Sequence, residues 1–241
     1  MLLQKGASVA NIVVIMSVQR HHTASEGGKY LMKTKDSLIR IAFLALFLFL
    51  VVRGKMMLWL LLFALSLPLA LLFGRLYCGY ACPIHTVMRP ISALARKMGW
   101  QTGDAPRIFT AGYLPWVALA LSIAATVLAR KTLQMNLPIL LFWIAAGAII
   151  VLRYPPEVFH NGICPFGALQ KTFGRFARRS KQVDPDACIR CGLCEKACQA
   201  DAIHLTGPDH TATVNISLCH QCSSCSIVCP KDAIAHKKTF A

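Results

Sequence analysis

The sequence predicts an all-α four-helix transmembrane domain, built as two parallel helix-hairpin repeats, followed by a small α+β domain organised by cysteines. Three observations carry this. Apolar residues make up 56% of the chain and charged ones 15%, with a mean hydropathy of +0.53. That is too oily for a soluble enzyme and too polar for a pure membrane bundle. The apolar residues gather in four spans before residue 153, and eight of the eleven cysteines fall in two runs in the last quarter of the chain.

Residues 1–36 are expected to be an N-terminal extension, either disordered or lying ahead of a natural start at Met32. They lack the apolar core and small-residue cleavage site of a signal peptide. The four-helix membrane domain takes 37–181. Its spans run from Ser37 to Val52, Met56 to Phe73, Ile108 to Ala129 and Leu133 to Leu152. About twenty residues cross a bilayer as a helix. The first span is short and carries Arg40, which can snorkel to the interface; a re-entrant segment is the alternative there.

Orientation follows from the basic residues. Net charge is +16. Lys29, Lys33, Lys35 and Arg40 flank the first span; Arg75, Arg89, Arg96, Lys97 and Arg107 occupy the central connection; Arg153, Lys171, Arg175, Arg178, Arg179 and Lys181 follow the fourth. Only Arg53, Lys55, Arg130 and Lys131 lie on the opposite side. The bias places the chain in the inner (cytoplasmic) membrane, multi-pass, with both termini inside. Basic residues beside apolar spans point to membrane lipid, and not to nucleic acid, as the anionic partner.

Each hairpin ends alike. Tyr77-Cys78-Gly79-Tyr80-Ala81-Cys82-Pro83 and Phe159-His160-Asn161-Gly162-Ile163-Cys164-Pro165 are related by a constant offset of 82 residues. Cys82 falls on Cys164, Pro83 on Pro165, and Cys78 on His160. Repeats in membrane proteins commonly place a shared site at their interface.

The domain over 182–241 holds Cys188-x2-Cys191-x2-Cys194-x3-Cys198 and Cys219-x2-Cys222-x2-Cys225-x3-Cys229-Pro230. Three thiolates on a tight loop reach three corners of one cubane, and the fourth cysteine of each run serves the other cluster. Cys188, Cys191, Cys194 and Cys229 are therefore expected to hold one [4Fe–4S] cluster, and Cys198, Cys219, Cys222 and Cys225 a second. A zinc or disulfide framework predicts neither the doubled run nor the crossed ligand. Free thiolates suit a reducing compartment.

The segment from Asp184 to Lys238 resembles the bacterial two-cluster ferredoxin, departing at Gln199, where proline is usual. Two C-x3-C-P-type motifs after helix hairpins, followed by such a tail, resemble the NapH/NosR-type membrane polyferredoxins, the membrane component of quinol dehydrogenases. Arg75 to Pro83 and Gly162-Ile163-Cys164-Pro165-Phe166-Gly167-Ala168-Leu169 carry the likeness. The resemblance implies an electron-transfer protein working with a quinone or quinol and a redox protein partner such as a ferredoxin, cytochrome or reductase subunit. The chain departs from the pattern where His160 replaces a cysteine and where outer loops are nearly absent.

The three cysteines outside the tail all lie in the repeated motif. With His160 they form a four-ligand set, Cys78, Cys82, Cys164 and His160, for a third iron–sulfur centre, [4Fe–4S] or [2Fe–2S]; the alternative is packing cysteines at helix ends. His85 and Arg89 can meet a quinone headgroup or face lipid phosphates. The tail histidines His204, His210, His220 and His236 are expected at the surface, with His220 able to tune its cluster by hydrogen bonding. Trp59, Trp100, Trp116 and Trp143 are expected as interface anchors and packing. No Ser–His–Asp pattern, paired carboxylates or nucleotide loop stands out, so the chain is expected to move electrons rather than bonds, with no catalytic residue of its own. An accessory role in metal-centre assembly or redox sensing is the alternative.

Overall fold

The computed structural model describes residues 33–101, 105–132, 134, 137–206 and 208–239. The extension expected over 1–36 thus lies outside the described residues up to position 32. A helix, α1, covers 33–52 and turns at Gly54 (φ +67°) into α2, Met56–Phe73. The central connection is no loop: it contains α3, Pro83–Lys97, and α4, Arg107–Thr110. Then come α5, Leu114–Thr132, and α6, Ile139–Arg153. Two short helices follow, α7, Pro156–Gly162, and α8, Pro165–Gly174.

Of the described helices, Met56–Phe73 and Leu114–Thr132 are long and apolar enough to cross a membrane. Their outward faces are apolar and uncovered. Leu61 is 56%, Leu65 65% and Leu121 65% exposed. A soluble core helix would bury such residues, and a lipid-facing one would not. The third span begins later than its hydropathy suggests, because Gly112 (φ +69°) separates Arg107–Thr110 from Leu114–Thr132. The fourth starts at Ile139 behind Pro138, which caps it.

The surface helices pack inward. α3 buries Ile84, His85, Met88, Ser92 and Ala95, a helical stripe, against α6. Gly147 of α6 permits the approach, since a Cβ there would meet Met88 Sδ at 3.0 Å and Ile84 Cγ2 at 3.2 Å. α2 and α8 are tied by Gln170 Nε2 donating to Ser66 Oγ at 2.6 Å. The core between them holds Phe47, Trp59, Phe63, Tyr77, Cys82, Val151, Phe159 and Cys164.

The tail is the small α+β unit expected. β1, Arg179–Val183, pairs antiparallel with β4, Ile234–Lys238, in the register Arg179↔Lys238 to Val183↔Ile234. β2, Ile203–His204, pairs antiparallel with β3, Thr213–Val214. Between the strands lie two short helices, α9, Leu193–Lys196, and α10, Ser224–Val228. The tail does not hang from a linker. Arg178 N–H donates to Leu71 O at 3.2 Å, joining the strand entrance to the last turn of α2.

Candidate redox centre at the seam of the two domains

The two Cys-Pro junctions share one backbone geometry. Cys82 N–H donates to Tyr77 O and Cys164 N–H to Phe159 O, each at 2.8 Å and each spanning five residues. The first bond belongs to a single π-helical turn, Tyr77–Ala81, a form that recurs at functional sites. Cys82 has φ −70°, ψ 116° and Cys164 φ −66°, ψ 117°. Pro83 and Pro165 then start α3 and α8 at the position where a missing N–H costs nothing.

Each thiol therefore faces the first free N–H groups of a helix. Cys82 receives the amides of Ile84 and His85, and Cys164 those of Phe166 and Gly167, the last at 3.4 Å. Such amides favour a thiolate. Burial opposes it and pushes the Cys164 thiol up to about 12. Cys78, Cys82 and Cys164 are all buried and lie within electrostatic reach of one another, beside the Tyr77 hydroxyl that Trp59 Nε1 contacts at 2.9 Å.

His160 is also buried, but it turns elsewhere. Its Nε2 lies 3.1 Å from His85 Nδ1. The rings of His85, His160 and His220 form a triangle with centroids 5.0, 5.1 and 5.2 Å apart. Burial keeps all three below the usual imidazole range, His160 at about 3. Two expectations need correction here. His85 is 2% exposed and does not face lipid phosphates, and His220, also 2% exposed, is not at the surface. Both are enclosed because the tail seats directly on the membrane motifs.

That seat is tight. A Cβ on Gly79 would lie 2.2 Å from His220 O and 3.6 Å from Cys222 N. Gln221, 1% exposed, donates to Ser180 Oγ at 2.7 Å, accepts Lys181 N–H at 3.2 Å and fills the space beside Gly74. Arg75, fully buried, donates from Nη1 to Asn161 Oδ1 at 3.3 Å and to Leu218 O at 3.4 Å, so one side chain spans both motifs and the tail. Arg40 does not snorkel. It is 5% exposed, its Nε donates to Gly79 O at 2.8 Å, and its guanidinium sits 5.3 Å from the Tyr80 ring centre.

The tail cysteines form two groups. Cys188, Cys191, Cys194 and Cys229 line one cavity together with Leu205 and Ile234. Cys198, Cys219, Cys222 and Cys225 interact electrostatically with one another, and burial pushes the Cys219 thiol up to about 12. No three His, Cys, Asp or Glu side chains among the described residues are arranged to hold a single metal ion. Thiolates around a cubane stand farther apart than those around one zinc.

The surroundings fit an anionic cofactor. Arg40 Nη2, Arg75 Nε and Nη2, and Arg89 Nη1 are buried without a hydrogen-bond partner. Asp36 lies within electrostatic reach of Arg89, and buried cations whose donors are only partly satisfied are costly. Thiolate-ligated clusters carry the negative charge and sulfur acceptors that would offset them, and Cys222 and Cys164 lie within electrostatic reach of Arg89 and Arg75 respectively. Arg40 and Arg75 were not singled out as site residues from sequence. The signal was present in Arg40, a charge inside an apolar span, which is functional more often than incidental.

Comparison with known proteins adds to this geometry. Residues 56–101 and 135–183 match a family described as a 4Fe-4S binding domain, and 181–204 match a second 4Fe-4S binding domain. The first match contains Cys78, Cys82 and Cys164. An uncharacterized protein of Methanocaldococcus jannaschii is 27% identical over 175 residues, covering 71% of this chain and 68% of that protein. The regulatory protein NosR of Stutzerimonas stutzeri is 27% identical over 181 residues, 65% of this chain and 24% of NosR. The methylamine utilization ferredoxin-type protein MauN of Methylobacillus flagellatus is 28% identical over 140 residues, 52% of this chain and 48% of MauN. The chain thus spans about a quarter of NosR and about half of MauN. No solved structure matches it.

Proposed function

Because the chain belongs to the NosR/NapH-type polyferredoxins, we propose that it carries electrons between a quinone or quinol, or another redox partner at the membrane, and two [4Fe–4S] clusters in its tail. Cys188, Cys191, Cys194 and Cys229 would hold the first cluster, and Cys198, Cys219, Cys222 and Cys225 the second. Bound clusters supply one-electron chemistry over a wide range of potentials. The observation that carries this reading is the seat of the Cys219–Cys222 loop on the turn bearing Cys78 and Cys82.

The chain's own residues prepare that seam. Arg40, Arg75 and Arg89 supply positive charge, the three neutral imidazoles fill the gap without adding to it, and the enclosing side chains exclude water. Four spans would anchor the membrane half, with α1 and α6 joining the two longest apolar helices. The common geometry at Cys82 and Cys164 supports two parallel repeats. Cys78, Cys82 and Cys164 would hold a third centre between membrane and tail. His160 would complete that set only by giving up its contact with His85.

Reduction by a quinol tests the electron path. Anaerobically purified, oxidised protein in detergent is expected to lose its visible cluster absorption on addition of a membrane quinol. If quinols leave it unchanged while dithionite bleaches it, and deletion abolishes a partner oxidoreductase, the accessory role in metal-centre assembly or redox sensing replaces this reading. Similarity to NosR, a regulatory protein, favours that second possibility.

Orientation is a separate expectation. The excess of Lys and Arg at the α3, α8 and tail end supports a cytoplasmic position for the clusters. Reporter fusions after Ala241 and within 98–106 are expected to read as cytoplasmic, and one at Gly54 as external. An external reading after Ala241 would reverse the arrangement and the choice of partners.

A further inference from the structure

At the first turn of α5 lies a cavity of about 350 Å³ unconnected with the cysteines, bordered by Trp116, Asn161, Lys171, Thr172, Arg175 and Ser217. Its charge is one-sided. Lys171 in the last turn of α8 and Arg175 at its C-cap stand one turn apart, and no carboxylate among the described residues borders the space. Neither cation takes part in any of the ion pairs found among the described residues. The Arg175 guanidinium lies over the Phe176 ring at 4.4 Å, an interaction with its face that leaves the edge donors available. Two cations facing a polar hollow with no anion of the protein's own call for an anionic ligand.

Its level in the molecule narrows the class. Tyr113 and Trp116, 56% and 46% exposed, mark the start of α5, and the uncovered apolar face of that helix begins at Val117 and continues at Leu121. Exposed aromatic residues at the end of an apolar helix sit at headgroup depth. The same helix also borders an apolar groove of about 640 Å³, shared with Pro138, Ile139, Phe142 and Trp143 of the α6 entrance. A basic hollow at headgroup depth beside an apolar groove matches the two halves of a phospholipid.

We propose that this cavity is a phosphate-group site and that it seats the headgroup of an anionic phospholipid. The inference rests on the membrane insertion proposed above, but not on the path of electrons. Ser217 precedes Cys219 by two residues, so a lipid held here also braces the tail against the membrane half. Lys171 and Arg175 provide the charge and the donors; Asn161, Thr172 and Ser217 shape a polar wall.

The test uses full-length protein extracted in mild detergent from phosphatidylcholine vesicles with and without phosphatidylglycerol, then weighed intact by native mass spectrometry. The parent is expected to retain phosphatidylglycerol and release phosphatidylcholine, and Lys171→Gln combined with Arg175→Gln to lower that retention about tenfold or more. Added inorganic phosphate is expected to displace the lipid from the parent. Retention of phosphate but not of phosphatidylglycerol, dependent on both cations, keeps the phosphate-group site and makes its source soluble. If parent and double variant retain lipid equally and neither responds to phosphate, the proposal is overturned. Iron content and cluster reduction of the double variant are expected to match the parent, so a failure of the electron-transfer reading is recorded separately.

Discussion

Gly79→Ala is expected to lift the iron–sulfur tail off the membrane half. The new Cβ would lie 2.2 Å from the His220 carbonyl oxygen and 3.3 Å from its carbon, both backbone atoms that cannot rotate aside. Relief requires moving one of two things. If the Tyr77–Ala81 turn retreats, Gly79 O leaves Arg40 Nε, and a buried guanidinium loses the hydrogen bond it makes at 2.8 Å. If the loop retreats, Arg75 loses Leu218 O, and Cys219 and Cys222 move with it. Overpacking costs about 1–3 kcal/mol, and a buried hydrogen bond to a charged group adds about 1.5–3 kcal/mol. Together these amount to roughly 2.5–6 kcal/mol, enough to undock a domain. Tryptic release of the tail at Arg178 and Arg179 should quicken by two orders of magnitude or more, on the order of what that energy allows. Gly99→Ala is the control. It has no neighbour within 4 Å and only a left-handed backbone (φ +70°) to disturb, at about 1–2 kcal/mol. A Gly79→Ala protein as resistant as the parent would show that the seat is looser than described.

The second large effect is a stoichiometry. The two proposed tail clusters would account for about eight irons per chain, and a third centre would add about two or four. Anaerobically purified parent protein is expected to hold about ten or twelve, and Cys82→Ala about eight. Cys82 is the informative cysteine, because its sulfur faces the Ile84 and His85 amides and lies within reach of both Cys78 and Cys164. His160→Ala separates two arrangements. A fall to about eight makes His160 the fourth ligand, which requires its ring to leave His85. Retention of the parent value assigns that position to another group and leaves His160 in the imidazole triangle. If parent, Cys82→Ala and His160→Ala all hold about eight, the third centre does not exist, and Cys78, Cys82 and Cys164 are packing residues.

What could be read from the sequence was whatever local spacing determines. The second span coincides with Met56–Phe73. The 82-residue offset between the Cys-Pro motifs reappears as two five-residue hydrogen bonds and nearly equal dihedral angles at Cys82 and Cys164. Cys229 lines one cavity with Cys188, Cys191 and Cys194, and Cys198 lies within electrostatic reach of Cys219, Cys222 and Cys225, the arrangement on which the proposed crossed ligation rests. What escaped depends on docking between distant segments. Arg40 reads as a snorkelling residue until Gly79 supplies its acceptor 39 positions away. His220 reads as a surface residue until His85 and His160 close over it. The central connection reads as a loop because the buried stripe of α3 matters only opposite Gly147.

The interlock at Gly79, Gln221 and Arg75 also bears on how the protein is made. The loop from Leu218 to Ser223 is at once part of the proposed second cluster-binding run and part of the surface that covers Arg75, His85 and His160. Metal-binding loops take their final shape only when loaded. Loading and docking would therefore be one folding event, which waits until β4 has been made and can return to pair with β1. A chain short of iron would leave two buried arginines, Arg40 and Arg75, and three buried imidazoles open to water at the membrane surface. Such a chain is a marked substrate for proteolysis, so its abundance should follow the cell's iron supply without any dedicated regulator.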